Sequence, residues 1–226
     1  MTLVLAAIAL LAMGGLGALA LAGRPRASRA FVCATALAAT GLGLAAAVRV
    51  IASGAVTAAA AAWSVPWGSL SLELDPLSAF FLCPIVLIGL AGTFYGHGYL
   101  GAHGSPSGRA VSWLLYNLLL ASMIVVVTAR NAVLFLVAWE LMSVASFFLV
   151  VHEDERPEVR RAGWIYLVAA HLGTACLLAL FVLLGRQAGG NLDFTSARGA
   201  ALVLSTEGRT TAAILLLALV GFGTKA

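Results

Sequence analysis

Charge is what this chain has least of. Asp, Glu, Lys and Arg make up only 10% of its 226 residues, against roughly a quarter in soluble domains. Apolar residues reach 62% and mean hydropathy is +1.04, a balance that excludes an ordinary water-soluble domain and marks an integral membrane protein. Lysine is almost missing, since Lys225 is the one lysine among 13 basic residues. The arginines stand mostly between apolar runs, where they set topology, and no nucleic-acid patch is read from them. Cysteine is sparse too. Cys33, Cys83 and Cys176 are odd in number, widely spaced and within apolar runs, which argues for packing roles and against a disulfide framework or metal set. Residues 1–23 lack the basic start of a signal peptide, and Arg24, Arg26 and Arg29 follow the run instead. We therefore read a retained first span, although Ala20-Leu21-Ala22 superficially resembles a cleavage site.

What is present is a succession of apolar runs. They predict spans over about 3–22, 30–52, 76–100, 110–129, 131–151 and 162–184, and a seventh from about Thr210. The fold class expected is an all-α integral membrane protein of about seven transmembrane helices. Between the second and third spans, Ser69-Leu70-Ser71-Leu72-Glu73-Leu74-Asp75 alternates with period two, which predicts a short β-hairpin on the membrane surface before Pro76 opens the next helix. Gly101 to Gly108, with His103, Ser105, Pro106 and Ser107, is a loop by composition. A tight turn at Arg130-Asn131 makes the fourth and fifth spans antiparallel neighbours. The charge cluster from His152 to Arg161 reads as a solvated loop capping the sixth span, or else as a docking surface. Residues 185–209, with Asn191, Asp193 and Glu207, read as a polar loop. Counted in alternating loops, one side receives Arg24, Arg26, Arg29, Arg109, Arg156, Arg160 and Arg161; the other receives Arg49, Arg130, Arg186, Arg198 and Arg209. The richer side is expected in the cytoplasm, with the N-terminus outside.

Residues 131–151 carry a single charge, Glu140. At about 1.5 Å of rise per residue it lies roughly 12 Å from one end of the span and about 16 Å from the other, inside a hydrocarbon core of about 30 Å. A charged acid at that depth costs on the order of 2.5 to 3.5 kcal/mol on the insertion scale, so Glu140 is either a protonated packing acid or a proton or ion relay. Two more titratable groups lie at depth. His171 in the sixth span can relay protons or simply bond a backbone carbonyl, and Lys225 can join a relay or end its span at the interface. By the same rise the three fall at roughly 12, 15 and 22 Å from the outer face, a stepped row across the membrane. Gly221-Phe222-Gly223 would loosen the helix just before Lys225, as at a broken-helix ion site. On Glu140's own helical face only Ser143 is polar, so its partner is expected from another helix or from water.

Phe135-Leu136-Val137-Ala138-Trp139-Glu140-Leu141-Met142-Ser143, Arg160-Arg161-Ala162-Gly163-Trp164-Ile165-Tyr166-Leu167 and Gly221-Phe222-Gly223-Thr224-Lys225-Ala226 together resemble the antiporter-like membrane subunits of the complex I and Mrp superfamily. Within it the pattern is most similar to component B of hydrogenase-4 and the matching subunit of formate hydrogenlyase. Leu74-Asp75-Pro76-Leu77-Ser78 and Gly98-Tyr99-Leu100 fit as well, so the likeness runs from about residue 70 onward. It implies a fold of about fourteen helices with two inverted repeats, here as N-terminal helices in 1–109 and part of the first repeat in 110–226. It implies that Glu140 and Lys225 belong to a proton channel driven by redox chemistry in other membrane and peripheral subunits; His171 is added to that relay by its depth in the sixth span alone. No ligand set for nickel, iron–sulfur or flavin is found, so no cofactor is expected and any enzymatic chemistry belongs to the rest of an oxidoreductase complex. The bacterial cytoplasmic membrane is the expected location and its lipid a partner. The chain stops in the seventh span, so a fragment or truncated product lacking the second repeat is expected. A non-pumping anchor and a stand-alone cation/proton antiporter are the competing functions.

Overall fold

The computed structural model describes residues 1–63, 68–102, 106–153, 155–195 and 208–225, with no description of the side chains at 101, 102, 106, 153, 209 and 225. Its elements are α1 (Thr2–Ala20), α2 (Pro25–Ser53), β1 (Thr57–Ala61), β2 (Leu70–Leu74), α3 (Pro76–Ala102), α4 (Pro106–Thr128), α5 (Ala132–Val150), a 3-10 turn (Val151–Glu153), α6 (Pro157–Gln187) and α7 (Gly208–Lys225). The first six helices are long and apolar enough to cross a bilayer; the apolar stretch of α7, Thr210–Thr224, is shorter. This is the all-α membrane architecture expected, with the hairpin in place.

Three helices begin earlier than hydropathy predicts, each at a proline: Pro25, Pro106 and Pro157. Proline suits the first helical turn because its missing N–H falls where a helix leaves donors unbonded, and Glu158 adds a favourable charge at the positive end of α6. Residues 157–161 of the charged cluster expected as loop are therefore the start of α6. Asp154 lies outside the described residues, as do His103 and Ser105 of the 101–108 segment and Arg198 and Glu207 of the 185–209 segment.

The two larger packed cores follow from the order of the helices. In the first, Val4 and Leu11 of α1, Ala39 and Val50 of α2, Leu82 and Val86 of α3 and Leu120 and Ile124 of α4 are buried together. Close approach of α1 needs glycine: a Cβ on Gly14 would lie 2.6 Å from Thr35 Oγ1 and 3.1 Å from Asn117 Oδ1. In the second, Leu136 of α5 and Leu177, Leu180 and Phe181 of α6 pack with Leu217 and Ala218 of α7.

The cores are joined on one membrane face by a platform of backbone pairing. Strands β1 and β2 are antiparallel from Thr57 opposite Leu74 to Ala61 opposite Leu70. Leu72 and Leu74 point inward and are buried, as the period-two pattern requires. Leu72 also pairs with Ala129, and the Arg130 N–H donates to Ser71 O at 2.9 Å. On its other side the same turn pairs Asn131 with Asp193, while Ala132 N donates to Leu192 O and Phe194 N to Arg130 O, both at 2.9 Å.

Side chains complete the platform. Arg130 donates to Glu73 at 3.1 Å and to Asp75 at 2.6 Å. Asp193 Oδ1 accepts from Ser69 Oγ at 2.8 Å and from Asn131 Nδ2 at 2.9 Å. Asn131 Oδ1 accepts from Val133 N and Leu134 N, capping α5, and Asp75 Oδ1 accepts from Ser78 N at 2.7 Å, capping α3. Burial raises the Asp75 carboxyl, but the Ser78 bonds and the Arg130 guanidinium outweigh it and hold the group below its usual value. The helix that carries Glu140 is thus fixed at its start by neutral and charged bonds to three other segments.

Candidate functional site

Asn131 sets where α5 begins, and from there the helix delivers Glu140 to its middle, facing α6. Two α6 side chains three residues apart meet it. Thr174 Oγ1 hydrogen-bonds Glu140 Oε1, and His171 Nε2 stands 3.5 Å from Glu140 Oε2. Residues three apart share a helix face, which is why α6 presents both to the same carboxyl group. Thr174 also reaches Ala170 O at 3.1 Å, so its single hydroxyl hydrogen is shared between a backbone carbonyl and the acid.

His171 Nδ1 lies 2.9 Å from Leu167 O. A carbonyl only accepts, so Nδ1 carries the hydrogen in that bond and Nε2 is the nitrogen that faces Glu140. His171 bonds a backbone carbonyl, one of the two readings open for it, and the same ring also faces the acid. The Glu140 side chain is 28% exposed and that of His171 53%, so the pair is open on the imidazole side. A carboxyl and an imidazole at that separation can pass a proton directly after a small approach, or through one water.

Aromatic rings surround the pair. Trp139 packs edge-on against Phe135, centroids 4.7 Å apart, and lies 5.8 Å from Phe222 of α7. The end of α7 is thereby brought to the Glu140 level, and Lys225 is its last described helical residue. The Lys225 amine itself lies outside the described side chains. The helix runs unbroken through Gly221 and Gly223, contrary to the loosening expected there. Gly221 instead serves close approach: a Cβ on it would sit 2.7 Å from Leu177 Cδ2 and 3.2 Å from Leu177 N of α6.

Thr174 is the site residue that sequence reasoning missed. The three-and-four rule applied to Glu140's helix finds Ser143, which bonds Trp139 O at 2.9 Å. Applied to His171's helix, the same rule would have found Thr174. Among the described residues no three His, Cys, Asp or Glu side chains converge as a metal set would.

Residues 129–226 match the family model described as NADH:quinone oxidoreductase/Mrp antiporter, TM. Hydrogenase-4 component B of Escherichia coli (strain K12) is 34% identical over 160 residues, covering 71% of this chain and 23% of that protein. A subunit in the structure of the Mrp complex from Dietzia sp. DQ12-45-1b superposes over 100% of this chain and 24% of its own, with TM-score 0.77 and 26% identity. A chain of the membrane-bound sulfane sulfur reductase, an archaeal respiratory membrane complex, shares the fold at TM-score 0.76 and 22% identity, over 97% of this chain and 33% of that one. The chain spans about a quarter of the length of hydrogenase-4 component B and of the Mrp subunit. A membrane bundle with this pairing of α5 and α6, matching that family model from residue 129 onward, belongs to the antiporter-like membrane subunits of the complex I and Mrp type.

Proposed function

We propose that this chain is the proton-translocating, antiporter-like portion of a membrane-bound hydrogenase or NADH dehydrogenase-like complex, coupling redox chemistry in other subunits to ion movement. The observation that carries the reading is the engagement of both Glu140 carboxyl oxygens from α6, by Thr174 and by His171. A packing acid can be satisfied by groups that do not titrate, such as Thr174. An acid beside an imidazole whose other nitrogen is fixed to a carbonyl has a partner able to exchange its proton. In this reading Glu140 holds the proton, His171 exchanges it, and Lys225 on α7 is the cation whose charge biases the pair. The division into N-terminal helices 1–109 and a first antiporter-like repeat 110–226 belongs to the same proposal, with α4 packing on both sides of the boundary. So do placement in the bacterial cytoplasmic membrane with the N-terminus outside and association with membrane and peripheral redox subunits.

The test is Glu140→Gln in the assembled complex, which keeps the shape and removes the titratable proton. We expect proton pumping to be abolished while membrane insertion and assembly persist. Pumping at the normal ion-to-electron ratio would overturn the relay and leave the non-pumping anchor as the better reading.

A further inference from the structure

On the face opposite the platform, the starts of α2 and α4 and the last third of α3 enclose a cavity of about 310 Å³. Three arginines line it, Arg26 and Arg29 from the first turns of α2 and Arg109 from the first turn of α4, and no acid is among its described lining residues. The N-terminal, positive end of α2 borders this space through Pro25, Arg26 and Ser28, and the α2 N-cap, Arg24, makes no side-chain capping bond. The cavity wall also holds His97, whose Nε2 is buried without a hydrogen-bond partner among the described residues while its ring lies 4.3 Å from that of Trp113. Three guanidinium groups and the start of α2 make one electropositive pocket beside apolar spans.

We propose that this pocket binds the phosphate of an anionic phospholipid headgroup. Guanidinium groups and helix N-termini are both suited to phosphate oxygens, and basic pockets between membrane helices recognise such headgroups. Its surroundings favour a lipid over a free phosphate. Leu100 and Trp113 also line a second cavity of about 540 Å³, whose wall is mostly apolar and aromatic, with Tyr95, Tyr116 and Leu149, but also includes Ser112, His152 and Arg156; its apolar part offers room for an acyl chain next to the phosphate pocket. Trp113 stands between the two as an interfacial indole would.

Native mass spectrometry of the 226-residue chain in detergent, titrated separately with phosphatidylglycerol, phosphatidylcholine and orthophosphate, tests this. Phosphatidylglycerol should be retained at least about tenfold better than phosphatidylcholine. At about 1 kcal/mol per basic residue, Arg29→Gln with Arg109→Gln should weaken it by about thirtyfold. Arg29→Lys with Arg109→Lys should keep it within a few-fold, and Arg186→Gln at the other face should not change it. Equal retention of the two lipids, or an unchanged double Gln variant, would overturn the proposal. Displacement of phosphatidylglycerol by millimolar orthophosphate, with no gain of the lipid over the free anion, would overturn the lipid assignment in favour of soluble phosphate. Should the double Gln variant lose helical content by circular dichroism, the lipid contrast in the wild type and the double Lys variant decide.

Discussion

At the residue scale, Thr174 and Asp75 show how much one oxygen can carry. Thr174 supplies a hydroxyl donor to Glu140 from α6. Valine has nearly the same shape and no donor, so Thr174→Val leaves packing intact and removes the bond. Hydrogen bonds to charged groups contribute about 1.5 to 3 kcal/mol. If even the lower figure is needed while the proton moves, translocation by the assembled complex should slow by about tenfold, and Thr174→Ser should restore most of the rate. Equal rates for all three would show that the hydroxyl is only a packing feature. Asp75 works through its charge. Its ionised form is favoured in the fold by Ser78 and Arg130 despite burial, so its folded value lies below its unfolded one. The sign follows from that order: the contribution is complete above the ordinary carboxylate value and is lost as pH falls through the lowered one. The thermal midpoint of the wild type in detergent should therefore drop between about pH 5 and about pH 3 by more than that of Asp75→Asn, in which this group no longer titrates. Parallel curves would mean that Asp75 does not anchor the hairpin to α3.

At the element scale, α6 and α7 meet through Gly221, and the two glycines of Gly221-Phe222-Gly223 should respond oppositely to a methyl group. A Cβ on Gly221 would press on the Leu177 side chain and backbone, whereas a Cβ on Gly223 meets nothing within 4 Å. Overpacking at such a contact costs about 1 to 3 kcal/mol. In an open helical position, replacing glycine gains up to about 1 kcal/mol. Gly221→Ala should lower the thermal midpoint and Gly223→Ala hold or raise it; the reverse order would contradict the packing of α7 on α6. The same pair shows what was legible in the sequence. Apolar length located the helices, alternation located β2, and the cost of a buried acid singled out Glu140, because each is a property of one segment. The earlier helix starts at Pro25, Pro106 and Pro157 were written in proline chemistry, which a hydropathy window ignores. What stayed hidden was pairwise. Nothing local shows that Asp193 bonds Ser69 and Asn131, that Thr174 meets Glu140, or that Gly221 packs on Leu177 where a loosened helix was expected. Such contacts are set by which helices become neighbours.

At the scale of the whole molecule, the two faces of the bundle are chemically unlike. The face that holds Met1, the hairpin, the α4–α5 turn, the end of α6 and the start of α7 carries Arg49, Arg130, Arg186 and Arg209 among its described residues, and there Arg130 is bound to Glu73 and Asp75. The other face, formed by the α1–α2, α3–α4 and α5–α6 connections, carries Arg24, Arg26, Arg29, Arg109, Arg156, Arg160 and Arg161. Topology follows Lys and Arg counts in short loops and is little affected by acids, so pairing of Arg130 does not remove it from the comparison and the excess remains on the second face. Such an excess is retained on the cytoplasmic side during insertion. The native cysteines, Cys33, Cys83 and Cys176, are unpaired and half-buried within helices, so serine replacements at all three give a clean background for labelling. In that background a cysteine at Glu155, between α5 and α6, should react with a membrane-impermeant maleimide only when the cytoplasmic face is opened. A cysteine at Gln187, at the end of α6, should react in intact cells. Both positions are exposed, so failure to label reports sidedness and not burial. The opposite pattern would invert the proposed orientation, and it would then place the arginine-lined cavity beneath the outer leaflet and the hairpin platform toward the cytoplasm.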